Sequence, residues 1–276
     1  MDKLKRAWAR YWPEADVDAM ARDVQVRAGD AMHAWDLSGL EPLAGGNIGL
    51  VLANRDVVLK VHPRGHPDES QLAAEGVALR AWTPTGAAAT LHDVRDGGLT
   101  LVMERLTPGT TLDSADMAWE KRLDLIGNLV RRLHCAPAPA PDSIPHIGGE
   151  YARGWRRVLG DSPLLEPSVD DVLLHADLHG ANVLRSGDSW RVIDPHAVRG
   201  DRHADIWALI DPLAPSPSDA ATAWAWVTRY AAAADLDPAR AAEWVRLRAF
   251  GEALNGADGD AEWASRLERM ASLLRT

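Results

Sequence analysis

The spacing of hydrophobic and polar positions divides the chain into two contrasting halves. LVLA at 50–53 and VVLKV at 57–61 are short runs rich in leucine and β-branched residues, separated only by Asn54, Arg55 and Asp56. Those three favour a turn, so the runs read as a β-hairpin. GLTLVMERL at 98–106 reads as another strand, and TPGTTL after it as a connector. Between them, PDESQLAAEGVALRAW at 67–82 has a helical period, with Pro67 and Asp68 suited to its start. Its Leu72, Glu75, Leu79 and Trp82 recur at steps of 3, 4 and 3, the repeat of one buried helix face. Residues 4–35 read as helix and loop, giving a small sheet-bearing region up to about residue 106.

Beyond it the pattern turns mostly helical. Leu123, Ile126, Val130 and Leu133 repeat the same 3, 4, 3 spacing, and APAPAP at 136–141 stops that helix because proline lacks the amide donor. Residues 172–194 read as strand, loop and strand. From 202 onward come three or four helices rich in Ala, Trp and Leu, broken at PLAPSPS, LDP and NGADGD. The expected class is α+β, with a lobe at 1–106 that carries a helical extension over 1–35, and a second lobe at 107–276.

Composition narrows the function classes. Of 276 residues, 46% are hydrophobic, so the chain can bury a core. A net charge of −10 argues against nucleic acid or an anionic membrane as partner. One cysteine, Cys135, leaves no internal disulfide and no cysteine-rich zinc site. With no signal-like apolar run at MDKLKRAWARYW, the expectation is a cytoplasmic protein, monomeric or weakly dimeric, free of membrane.

Three stretches carry candidate chemistry. Gly45, Gly46 and Gly49 stand at the hairpin, where backbone N–H groups can approach phosphate oxygens; taken alone, this is also an ordinary turn. Lys60 lies on the opposite strand face from Val57, Leu59 and Val61, and by itself reads as a solvent-facing lysine. Glu75, however, sits on an apolar stripe where an unpaired carboxylate is costly. Lys60 is its obvious partner, with Glu69 the second choice of acid.

LLHADLHGANVL at 173–184 allows two readings. On a strand, His175, Asp177 and His179 share a face and could ligate zinc or iron. Alternatively, Asp177 accepts the proton of an attacking hydroxyl, while Asn182 and Asp194, from the later VID, supply hard oxygen ligands for Mg²⁺ on ATP. Only the second reading also uses the glycine hairpin and the Lys60–Glu75 pair.

HADLHGANVL, VIDP, VVLK and LVMERLTPG together resemble the aminoglycoside phosphotransferase family of kinase-fold enzymes, above all its branch of streptomycin 6-phosphotransferases and hydroxyurea phosphotransferases. The resemblance covers about residues 40–212. It implies a bilobal protein-kinase-like fold and transfer of the γ-phosphoryl of MgATP to a hydroxyl of a small molecule. Lys60 would contact the α- and β-phosphates, the backbone from Glu104 to Leu106 would bind adenine, and Met103 would line the base pocket. Asp177 would be the catalytic aspartate and Asn182 and Asp194 the Mg²⁺ ligands. His175 would brace the loop, His179 would approach the γ-phosphate or stabilise the loop, and Asp205 would anchor the loop through backbone amides. Pro195-His196 replaces the Phe-Gly of protein kinases, which makes an activation-loop switch unexpected.

The acceptor pocket is expected in the C-terminal helices, about 217–275. Glu243, Glu252, Asp258 and Asp260 are its candidate acids, and Trp224, Trp226, Trp244 and Trp263 are stacking walls or core. An aminoglycoside such as streptomycin is the leading acceptor. A metabolic kinase for an amino sugar, amino alcohol or hydroxyurea-like compound is the alternative, and a non-catalytic nucleotide-binding protein the third.

Overall fold

The computed structural model describes residues 1–43, 48–65, 69–149, 152–254 and 259–275. Two helices come first, α1 (Asp2–Tyr11) and α2 (Val17–Ala34). Strands β1 (Glu41–Pro42), β2 (Leu50–Ala53) and β3 (Val57–Val61) follow, then α3 (Glu69–Trp82), β4 (Leu91–Arg95) and β5 (Thr100–Glu104). These strands form one antiparallel sheet in the order β1-β2-β3-β5-β4.

The expected hairpin closes through Asn54, whose Oδ1 accepts from the amides of Asp56 and Val57, each at 2.9 Å. A side chain that satisfies the turn's own amides in this way fixes the register, and Val51 faces Lys60 across the pair. Leu59 and Val61 are fully buried in a cluster with Leu4, Trp8, Val24 and Ala28 of the two N-terminal helices. Those helices therefore back the sheet, while α3 lies against the face that carries Lys60. Two polar anchors reinforce the backing. Trp8 Nε1 donates to the Ile48 carbonyl at 2.8 Å, and the buried Arg27 donates to Thr100 Oγ1 at 3.0 Å and to the His62 carbonyl.

After β5 comes β6 (Pro108–Thr111), in the segment expected to be a bare connector. It pairs with β8 (Val183–Ser186), which pairs with β9 (Ser189–Val192). The end of β9 is tied to the first region: the Ala89 amide donates to the Val192 carbonyl at 2.9 Å, and the Val192 amide to the Ala87 carbonyl at 2.8 Å. β7 (Val172–Leu174) pairs with β10 (Val198–Gly200).

The remaining elements are α4 (Trp119–Leu133), α5 (Arg153–Leu159), α6 (Ala220–Ala234), α7 (Pro238–Leu254) and α8 (Ala261–Leu273). Leu123, Ile126, Val130 and Leu133 are all buried, as their spacing requires. They face α6, and Gly127 lets its backbone come close: a Cβ there would stand 2.9 Å from the Tyr230 carbonyl oxygen. The architecture is α+β, a small antiparallel sheet followed by a larger helical part. Among the described residues no helix is long and apolar enough to cross a membrane.

Candidate active site

β3 and α3 bring together the pair that their two periods select. Lys60 Nζ lies 2.9 and 2.7 Å from the two oxygens of Glu75, and both side chains are buried. The same ammonium reaches Asp194 Oδ1 at 2.5 Å, 134 residues further on. Burial works against the charge on Lys60, but the two carboxylates prevail and raise its pKa well above the usual lysine value. Burial likewise opposes ionisation of Asp194 and Glu75, yet Lys60 holds both below the usual carboxylate range. All three groups are therefore charged at neutral pH. Glu69, the second choice, instead accepts from the Gly65 amide.

Asp194 follows β9 with φ at 58°, a left-handed conformation. Such a backbone is strained for a non-glycine residue, and here it accompanies a carboxylate turned onto Lys60. Ala176, just before Asp177, is also left-handed, with φ at 60°. The Ala176 kink is held by buried hydrogen bonds. Asp205, almost wholly buried, accepts from the amides of His175 at 3.0 Å and Ala176 at 2.7 Å, and His134 Nε2 sits 3.0 Å from the same carboxylate. The Tyr230 hydroxyl donates to the Asp205 carbonyl. Arg248, wholly buried, donates to the Ala176 carbonyl at 3.0 Å and packs its guanidinium over the rings of Trp155 and Trp207.

On this base the loop places its polar groups. Asn182 Nδ2 donates to the Asp177 carbonyl at 2.9 Å and to Asp177 Oδ2 at 3.2 Å. His179 Nε2 lies 3.2 Å from the Asn182 amide nitrogen and 3.6 Å from Asp177 Oδ2. Burial pushes the Asp177 carboxyl up, but the His179 contact and the nearby His196 outweigh it and keep it ionised. For His179, burial disfavours the charge and Asp177 more than restores it, so its pKa is raised.

The three-ligand metal reading of this stretch does not fit the geometry. The residues lie in a loop after β7, not on a strand, so they do not share a face. His175 is fully buried, stacks on Trp82 and contacts the Ile193 carbonyl through Nε2 at 3.0 Å. Among the described residues no group of three His, Cys, Asp or Glu side chains is placed to hold a metal ion. The oxygens that could hold magnesium are a different set. With its nitrogen committed to Asp177, Asn182 keeps Oδ1 as an acceptor, and the Asp194 carboxylate is half exposed. Such hard oxygens suit Mg²⁺.

In the segment expected to bind adenine Met103 and Leu106 are buried, and Glu104 uses its carboxylate within the fold. It accepts from the Thr90 amide at 2.8 Å and from Thr90 Oγ1 at 2.9 Å, and pairs with Arg191. The Glu104 amide donates to the Thr90 carbonyl, and the Arg105 amide to the Asp56 carbonyl. Gly49 is buried beside β3, while Gly45 and Gly46 lie outside the described residues, as does Asp258. The other candidate acceptor acids are not brought together by a shared contact. Asp260 caps α8 through the amides of Glu262 and Trp263, Glu243 is exposed and paired with Arg240, and Glu252 accepts from Trp155 Nε1 at 3.2 Å. Trp244 and Trp263 are buried, and Trp224 and Trp226 pack against the core.

Residues 159–259 match the family model described as aminoglycoside/hydroxyurea antibiotic resistance kinase. That span holds the loop, Asn182, Asp194, Asp205 and Arg248. No curated protein sequence matches the chain. Solved structures agree over nearly the whole length. A choline/ethanolamine kinase family protein from Mesorhizobium loti covers 92% of this chain and 95% of its own, at 19% identity and a TM-score of 0.57. The streptomycin–ATP–APH(2")-IIa ternary complex covers 90% and 97%, at 13% and 0.59. Macrolide 2'-phosphotransferase MphH from Brachybacterium faecium covers 86% and 91%, at 21% and 0.53. The fold is that of the small-molecule kinases. The motifs' likeness is thus matched by a family model over residues 159–259, and the solved structures share the fold. Within this kinase fold Arg248, His134 and Tyr230 are structural partners of the loop that carried no motif. His62, likewise without a motif, joins Glu75 at 2.7 Å.

Proposed function

We propose that this chain is an ATP-dependent O-phosphotransferase that moves the γ-phosphoryl group of MgATP to a hydroxyl of a small molecule, with an aminoglycoside such as streptomycin as the leading acceptor. The observation that carries the reading is the convergence of the buried Lys60–Glu75 pair with the half-exposed carboxylate of Asp194. Asp177 and Asn182 are bonded to each other on the neighbouring loop.

In this reading Lys60 holds the α- and β-phosphates, and Glu75 keeps its ammonium in place. Base recognition falls to the Glu104 carbonyl and the Leu106 amide, since the Glu104 and Arg105 amides are already bonded. Asp177 hydrogen-bonds the acceptor hydroxyl and takes its proton as the new O–P bond forms and the bond to the β-phosphate oxygen breaks. A weak base suffices, because the transition state is loose and catalysis rests on positioning and charge. Asn182 Oδ1 and Asp194 would hold a magnesium ion, which supplies neutralisation of the phosphate oxygens when bound. Asp205 and Arg248 keep the loop in its strained conformation before substrate arrives.

A metabolic acceptor is the second reading, supported by the similarity to choline/ethanolamine kinase folds. A coupled ADP-release screen over aminoglycosides, amino sugars and small amino alcohols separates the two. Acceptor-dependent ADP release with streptomycin, together with streptomycin resistance on expression in a sensitive host, is the expected outcome. Turnover of an amino alcohol without resistance selects the metabolic reading. ATP binding with no turnover of any acceptor contradicts both.

A further inference from the structure

We infer that His62 is a positioning residue for the nucleotide phosphates, acting through Glu75; the inference rests on the phosphotransferase reading. His62 lies two residues after Lys60, at the end of β3, and is 1% exposed. Its Nε2 is 2.7 Å from Glu75 Oε2, the same oxygen that Lys60 Nζ reaches at 2.7 Å. A carboxylate only accepts, so Nε2 carries the proton and donates. Burial first, and the Lys60 charge second, lower the His62 pKa and keep the ring neutral. Its other nitrogen, Nδ1, is buried without a hydrogen-bond partner among the described residues.

The backbone of His62 is held on both sides, and its ring is closely approached by Gly49. The His62 amide donates to the Leu99 carbonyl at 2.8 Å, and Arg27 of α2 donates to the His62 carbonyl. Above it stands Gly49, where an added Cβ would come within 3.3 Å of Nδ1. That approach gives the third hairpin glycine a use besides phosphate access: a side chain there would crowd both the imidazole and the Val61 carbonyl, which would have to yield by a few tenths of an ångström.

The consequence lies in how Lys60 must divide its three N–H donors. Without nucleotide they are spent on Glu75 and Asp194. When the ammonium turns to phosphate oxygens, at least one bond to a carboxylate is given up. A buried carboxylate oxygen left without a donor is costly. His62 keeps Glu75 Oε2 bonded through that exchange, so Glu75 stays fixed and continues to orient Lys60. A neutral donor does this without adding a second cation that would compete with Lys60 for Glu75.

The test is calorimetric titration of the full chain with MgATP and, separately, with adenosine, which lacks the phosphates. His62→Leu is expected to weaken MgATP binding about tenfold, the loss of one hydrogen bond to a charged group, with adenosine binding changed less than about twofold. His62→Gln, whose amide can donate to Glu75, is expected to recover MgATP binding to within about threefold of wild type. His62→Asn keeps a polar group that falls short of Glu75 and replaces the leucine variant if that fails to fold, with the same expected loss. Unchanged MgATP affinity, or equal weakening of both ligands without rescue by glutamine, overturns the proposal and leaves His62 as packing. Failure of the wild type to bind MgATP overturns the phosphotransferase reading beneath it.

Discussion

Asp177→Asn is expected to lower phosphoryl transfer by about two to four orders of magnitude, the range associated with a positioned general base. The substitution keeps an oxygen able to accept from Asn182 Nδ2, so the loop geometry should survive. It removes the negative charge and the capacity to take a proton. MgATP affinity should stay near wild type, because Asp177 stands apart from the Lys60 cluster that would hold the phosphates. Single-turnover transfer measured beside nucleotide binding separates the two effects. Transfer within a few fold of wild type would remove Asp177 from the chemistry. The ionised state of Asp177 sets a pH dependence as well. Burial alone would raise its pKa, but His179 and His196 outweigh it and hold it below the usual carboxylate value. Activity governed by this group is present at neutral pH and is lost as pH falls through that depressed value.

Asp205→Ala is expected to be the most destabilising single change near the site. The side chain is almost wholly buried and accepts from two backbone amides while contacting His134. Its loss leaves those donors without a partner in a dry environment, at a cost of about 3–5 kcal/mol. The Ala176 kink, held also by Arg248, should relax, so activity should fall further than stability alone explains. Asp205 has its own linkage to pH. Burial raises its pKa, but His134 and the neighbouring amides prevail and lower it in the folded state. A group whose folded pKa lies below its unfolded value, about 3.9, stabilises the protein above that pH and loses the contribution as pH drops. The wild type should therefore lose stability on acidification below about pH 4, and Asp205→Ala should lose less over the same interval. Denaturant midpoints at neutral and acid pH check both statements. Equal midpoints for the two proteins at neutral pH would show that Asp205 does not hold the loop.

The Lys60–Glu75 contact was legible because two periods met. A two-residue repeat singled out Lys60 on its strand, and a helical repeat placed Glu75 on an apolar stripe that it could not occupy alone. Asp177, Asn182 and Asp194 were legible through spacing, since a loop of that length returns to the strand end where Asp194 sits. Other features left little signal. β4 and β6 are short and largely polar, with His92, Asp93 and Arg95 in one and Pro108 and Thr110 in the other. Neither shows the alternation of a half-buried strand, and each forms only through neighbours distant in sequence. Arg248 lies in a helix with five alanines and two other arginines, where a charged side chain reads as exposed. Its burial depends on Trp155, Trp207 and the Ala176 carbonyl, which no local pattern connects. The first 35 residues carried no motif, yet Trp8 and Arg27 fasten the hairpin and β3 from behind. The acids proposed for the acceptor show the opposite case. Asp260 was read for its charge and proves to be a helix cap, a use that its position before an apolar helical run already favours.

Phosphorus NMR of MgATP incubated with the full chain and streptomycin is a direct test of phosphoryl transfer at this site. A new phosphomonoester resonance is expected to grow as ATP converts to ADP, and to be absent with Asp177→Asn. If ATP is bound yet no phosphomonoester forms with streptomycin, any other aminoglycoside, an amino sugar or an amino alcohol, the assignment of this site to phosphoryl transfer is contradicted.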